Sequence, residues 1–137
     1  MYNMKEQILK LRAEGKTYLE IKEALNCSLS TISYYCNPVQ KEKTQNRLRD
    51  KRSKNLKFIQ EYKQNSGCVD CGEHYPYYVL QFDHVRGEKS GNISKMVNET
   101  LETIKTEIEK CEVVCANCHM FRTHARLVKT GESVGEI

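Results

Sequence analysis

With 137 residues, 39% hydrophobic and 29% charged, the chain has material for one ordinary domain or two small ones. No stretch approaches the eighteen or so continuous apolar residues of a membrane span. The N-terminal MYNMKEQILK lacks the apolar core and small-residue cleavage site of a signal peptide, so the expectation is a cytoplasmic, intracellular protein with no membrane partner. The net charge of +4 is divided unevenly, with fourteen Lys/Arg against seven Asp/Glu over residues 1–67 and eight against eleven over 68–137. A polyanion would be gripped by the first half.

From Met4 to Leu11 the apolar residues Met4, Ile8 and Leu11 recur at helical spacing, and Gly15 is placed to end that helix. Thr17-Tyr-Leu-Glu20 has the form of a capping box, with Ile21, Ala24 and Leu25 following as an apolar stripe. Asn26 suits a tight turn, Ser28 can cap a third helix carrying Leu29 and Ile32 inward, and Asn37-Pro38 stops it. The run TYLEIKEALNCSLSTISYYCNP resembles a helix-turn-helix DNA-binding unit. That resemblance implies that Ser30, Thr31, Ser33 and Tyr34 lie on the face offered to the major groove.

Lys41 to Lys57 holds eight basic and two acidic residues in seventeen positions. Such a run is either a solvated helix face or a phosphate-tracking connector, in which Arg47, Arg49, Lys51, Arg52 and Lys54 would meet DNA. Lys41 to Gln64 reads as a long helix, or as a flexible basic linker ending in a helix, with Leu56, Phe58, Ile59 and Tyr62 packed on the C-terminal unit. Tyr75 to Val85, rich in aromatic and β-branched residues, reads as a strand, with Tyr78, Leu80 and Phe82 on one face and Val79, Gln81 and Asp83 on the other. Asn92 to Lys110 returns to helical spacing, Cys111 to Cys115 is short enough for a second strand, and a helix runs from His119 through Leu127.

Two matched pairs, Cys68-Val-Asp-Cys71 and Cys115-Ala-Asn-Cys118, have the spacing of zinc knuckles, in which each tight turn supplies two ligands of a tetrahedral structural Zn²⁺. Cys27, Cys36 and Cys111 stand outside that spacing and read as free, buried thiols, and His74 reads as a knuckle-turn residue. A closed four-cysteine shell leaves Asp83, His84 and His119 unused. Singly, Asp83 and His84 are ordinary polar residues at a strand end, and His119 is an imidazole bonded to backbone.

The text CVDC, LQFDHV and CEVVCANCHMFRTHAR, spread over about sixty residues, resembles the HNH endonuclease family in its form with a four-cysteine zinc site, known from phage and mobile elements. Together with the N-terminal reading, this gives an expected α+β chain: a tri-helical helix-turn-helix unit (1–40), a basic helical connector (41–64), a zinc-stapled ββα-metal unit (65–130), the last implied by the resemblance, and a flexible tail (131–137). The resemblance further implies that Cys68, Cys71, Cys115 and Cys118 bind structural Zn²⁺, that Asp83 and His119 hold a catalytic Mg²⁺ or similar divalent ion, and that His84 is the general base for DNA phosphodiester hydrolysis. Arg122 and Arg126 follow His119 on one helix and could contact phosphates flanking the cut, while His124 reads as exposed.

Two features stand against a simple transfer. Neighbours on an extended strand point to opposite faces, so Asp83 and His84 share a site only if the strand bends or ends there. The family's middle asparagine, which braces the loop orienting the base, is replaced by Lys110. The competing expectation is a DNA-binding regulator or phage packaging accessory whose zinc-stapled unit no longer cuts. A double-strand cut would need a second active site, hence a dimer or sequential nicks.

Overall fold

Each short helix at the N-terminal end starts on a side chain that satisfies orphan amides. Asn3 Oδ1 accepts from Glu6 N at 3.0 Å to open α1 (Met4–Ala13). Thr17 and Glu20 form the reciprocal box of α2 (Tyr18–Leu25), with Thr17 N donating to Glu20 Oε2 at 2.7 Å. Asn26 takes the left-handed conformation at φ 49°, and Ser28 Oγ accepts from Thr31 N at 3.1 Å to begin α3 (Leu29–Cys36). Ile8, Ile21 and Ile32 are fully buried together, one from each helix. Helices of eight to ten residues converge on little more than one side chain apiece, so the expected inward residues Met4, Ala24 and Leu29 are exposed.

The structure is a computed structural model describing residues 3–131, and it divides into two compact units, Met1–Asp50 and Lys51–Ile137. The division falls within α4 (Pro38–Ser66), a single helix of 29 residues where a connector over 41–64 was expected. Pro38 ends α3 and also occupies the first turn of α4, where its missing N–H costs nothing. Asn37 Oδ1 caps that turn by accepting from Val39 N at 3.1 Å and Gln40 N at 3.3 Å. Leu56 and Tyr62 are exposed, and the buried positions of α4 are Asn55 and Ile59. Of the tail expected over 131–137, only Gly131 is among the described residues.

The second unit is built on two antiparallel strands, β1 (Leu80–His84) and β2 (Cys111–Cys115), in the register Leu80 with Cys115, Phe82 with Val113 and His84 with Cys111. The strand expected from Tyr75 begins five residues late. Around Pro76 the chain turns, with Val79 N donating to Pro76 O at 3.0 Å and Leu80 N to Tyr77 O at 3.3 Å, leaving Tyr78 in solvent. The helix expected over 92–110 is broken into a 3-10 helix (Ile93–Asn98) and α5 (Leu101–Ile108), because Thr100 caps α5 by accepting from Thr103 N at 3.2 Å. Then α6 (Ala116–Thr130) follows β2 directly. Ile59, Ile93, Val97, Ile104, Ile108 and Cys111 form one apolar core, while Cys68, Leu80, Val113, Val114 and Cys115 form another under the knuckles. Cys111 is buried and Cys27 and Cys36 are half-buried, all three as free thiols. Among the described residues no helix is long and apolar enough to cross a membrane.

Candidate functional site

The knuckles close around a common point. The Sγ atoms of Cys68, Cys71, Cys115 and Cys118 all lie within 4.8 Å of one another. Four sulfurs around one zinc at about 2.3 Å stand about 3.8 Å apart, so the set fits a tetrahedral ion. Local geometry prepares it. Gly72 adopts φ +75° with its N–H on Cys68 O at 2.9 Å, and Cys118 N donates to Cys115 Sγ at 3.4 Å at the start of α6. Val69 N donates to Val113 O at 2.9 Å, tying the first knuckle to β2. His74 supports this turn from outside, its Nδ1 3.4 Å from Gln64 O.

The thiols cannot share negative charge unaided. Burial works against the Cys68 thiolate, but the backbone amides of Cys71, Cys115 and Asp70 outweigh it and bring the group down to about 6. Cys118 is pushed up to about 12, first by its bond to Cys115 and then by burial. A divalent cation removes that conflict and lets all four ionise.

Beside the knuckles, Asp83 on β1 and His119 on α6 approach each other, with Asp83 Oδ1 3.5 Å from His119 Nε2. Two ligands of one divalent ion at about 2.1 Å have this order of separation. The Asp83 carboxylate is already engaged, however. Arg126 Nη1 donates to its Oδ1 at 2.8 Å and Arg126 Nη2 to its Oδ2 at 2.6 Å, while Arg122 Nη1 reaches Oδ2 at 3.0 Å. The Arg126 pair, and then Arg122, hold the Asp83 carboxyl down at about 2 despite its burial.

Arg122, read from the sequence as a possible phosphate contact, is engaged with carboxylates. Its guanidinium also donates to Asp70 Oδ2 at 2.7 Å and Glu112 Oε2 at 2.7 Å, joining the first knuckle, β1 and β2 to α6. The Arg126 side chain is half exposed. His124 is exposed.

His84 does not join Asp83 and His119. Its pairing with Cys111 is regular to the end of β1, so alternation sends the imidazole to the other side of the sheet, where Nε2 lies 2.7 Å from Glu107 Oε1. There it lines a cleft of about 210 Å³ with Lys63, Gln81, Phe82, Lys89 and Asn92. Glu107 is fully buried and also accepts from Lys110 Nζ at 2.8 Å, Ser90 N at 2.9 Å and Gly91 N at 3.4 Å. Lys110, then His84 and the two amides, bring its carboxyl down to about 2 against the opposing effect of burial.

Neither Glu107 nor the partners of Arg122 were anticipated from the sequence. One signal was present for Glu107: it lies on the apolar stripe of Ile104 and Ile108, where an acid requires partners.

In the first unit, Ser30, Thr31, Ser33 and Tyr34 line a groove together with Arg47 of α4. Ser30 and Thr31 are tied to the α3 cap, each hydroxyl 2.8 Å from Ser28 Oγ. Arg47 and Arg49 are exposed in this unit, as are Arg52 and Lys54 in the second, whereas Lys51 Nζ donates to Asn98 O at 2.8 Å. Comparison with models of protein families, with curated proteins and with solved structures found no match in any of the three.

Proposed function

We propose that the chain is a metal-dependent DNA endonuclease of the HNH kind, with a helix-turn-helix unit that anchors it on DNA. The observation that carries this reading is the approach of Asp83 and His119, from a strand and the helix after its partner, beside a four-cysteine cluster. Asp83 and His119 would hold a divalent cation whose charge offsets that developing on the phosphate and the leaving oxygen. Arg126 would swing from Asp83 toward the substrate as the ion takes its place.

His84 supplies the base. A substrate phosphate would have to lie across the end of β1 to meet both groups, because the Asp83 and His84 side chains leave the strand on opposite faces. Water gives a proton to His84, the hydroxide oxygen bonds to phosphorus, and the P–O3′ bond breaks with its electron pair on O3′, which takes a proton from solvent. The groove of Ser30, Thr31, Ser33, Tyr34 and Arg47 supports DNA anchoring: hydroxyls contact almost any base, suiting the helix to positioning more than to stringent readout.

Zinc-loaded protein incubated with supercoiled plasmid and Mg²⁺ or Mn²⁺ should yield nicked or linear product, and His84→Ala should lower cleavage by about 10² to 10⁴ while DNA affinity stays nearly intact. Absence of product from DNA-bound wild type would favour a second reading, a non-cutting DNA-binding protein on a zinc-stapled scaffold. The bidentate hydrogen bonding of Arg126 to Asp83 is the observation on that side.

A further inference from the structure

The loop that follows β1 is held by a lysine and a glutamate. Lys110 Nζ donates to Glu88 O at 2.8 Å, to Ser90 Oγ at 2.9 Å and to Glu107 Oε2 at 2.8 Å. It thus spans residues 88–90 and α5 from the position where the resembled family carries asparagine. Glu107 Oε1 in turn meets Ser90 N, Gly91 N and His84 Nε2. The ammonium and both amides can only donate, so the carboxylate is ionised and acts purely as an acceptor. For the 2.7 Å contact to be a hydrogen bond, His84 must carry a proton on Nε2. The lone pair of the neutral ring is then on Nδ1.

We infer that Glu107, clamped by Lys110, is the positioning residue for His84, fixing the ring in the Nε2–H tautomer and leaving Nδ1 as its proton-accepting atom. Lys110 performs the loop bracing and Glu107 orients the imidazole, a division of labour between two side chains separated by one turn of backbone. The pair is nearly closed to water, with Glu107 2% and His84 16% exposed, so solvent competes little with His84 for the carboxylate. The catalytic part of this inference rests on the nuclease reading. The tautomer does not.

The two are separable by experiment on the full, zinc-loaded chain. Nitrogen-15 NMR of labelled histidine, read on the neutral ring, should give His84 a protonated Nε2 and an unprotonated Nδ1. An Nδ1–H tautomer, or an even average of the two, in the wild type would overturn the inference whatever the variants do. Glu107→Gln retains an oxygen that can accept from Nε2–H and should keep the tautomer. Glu107→Ala should average it and, in the plasmid assay, lower kcat by about 10- to 100-fold with KM little changed.

If Glu107→Ala loses its zinc or its fold, Lys110→Met serves instead. That variant frees the loop but leaves His84 its acceptor, so the expected result is partial averaging with zinc retained; full loss of the contact would assign the orientation to Lys110 and overturn the role given to Glu107. A fixed Nε2–H tautomer in a wild type that cleaves nothing would end the nuclease reading and leave the positioning intact.

Discussion

Arg122 and Asp83 are joined at 3.0 Å, and the same guanidinium reaches Asp70 and Glu112, so one side chain of α6 bridges three carboxylates from three other segments. Asp83 is 4% and Arg122 21% exposed at the side chain, so the pair lies in a setting where loss of one partner is costly. Arg122→Ala should destabilise the second unit by about 3 kcal/mol, because the buried acid then depends on the half-exposed Arg126 and the more distant His119. Denaturant unfolding followed by a probe in that unit checks this; a cost below about 1 kcal/mol would assign the network to the surface class of ion pairs.

The four-cysteine cluster leads to a second expectation. Metal analysis should give one tightly held zinc per chain, and chelation or Cys68→Ala should collapse the near-ultraviolet circular dichroism of the Tyr75–Val79 region, since the knuckles staple a unit with little apolar core. The α1–α3 signals should persist, as Ile8, Ile21 and Ile32 pack without any of these cysteines. A stable, zinc-loaded Cys68→Ala variant would remove Cys68 from the ligand set.

Acid should test the Glu107 hub. Its carboxyl is lowered from an ordinary 4.5 to about 2, foremost by Lys110. A depressed folded value means the contribution is complete above the unfolded value and is lost as pH falls through the folded one. The stability advantage of wild type over Glu107→Gln should therefore be constant above about pH 5 and shrink steadily toward about pH 2. An advantage that grew on acidification would reverse the assigned sign.

On the DNA side, replacing Arg47, Arg49 and Arg52 with alanine should flatten the slope of log affinity against log salt by up to about 2.7, if each removed charge meets one phosphate of duplex DNA. Lys51→Ala should do less, because its ammonium is held by Asn98 O. Identical slopes for the triple variant and wild type would leave the basic run as a solvated face.

Much of the local structure could be read from residue order. Asn3 was not anticipated as a cap, but Thr17, Asn26 and Ser28 perform the roles their chemistry suggests, since a cap or a left-handed turn is satisfied within three or four residues. The knuckle spacing brought the four sulfurs together for a similar reason: each pair needs one turn, and the β1–β2 ladder needs only to join the two turns. The long aromatic strand failed at Pro76, and the single helix over 92–110 failed at Thr100, because apolar content outweighed turn and cap chemistry in reading those stretches.

Asn55 shows the limit from another direction. Its Nδ2 donates to Val97 O and Glu99 O, both at 2.9 Å, closing the end of the 3-10 helix from a residue more than forty positions away. Nothing adjacent to Asn55 in sequence announces that partner. The same holds for His84 with Glu107 and for Asp83 with Arg122 and Arg126.

By itself, then, the order of residues determined where short helices begin, which cysteines pair by spacing, and that charge gathers in the first half. Only the tertiary structure decided which donor meets each of Glu107 and Asp83 from afar, because His84, Arg122 and Arg126 are brought within about 3 Å of them by strand register and helix packing across 23 to 43 residues of chain. Strand alternation separated Asp83 from His84, and packing then gave the first to α6 and the second to α5.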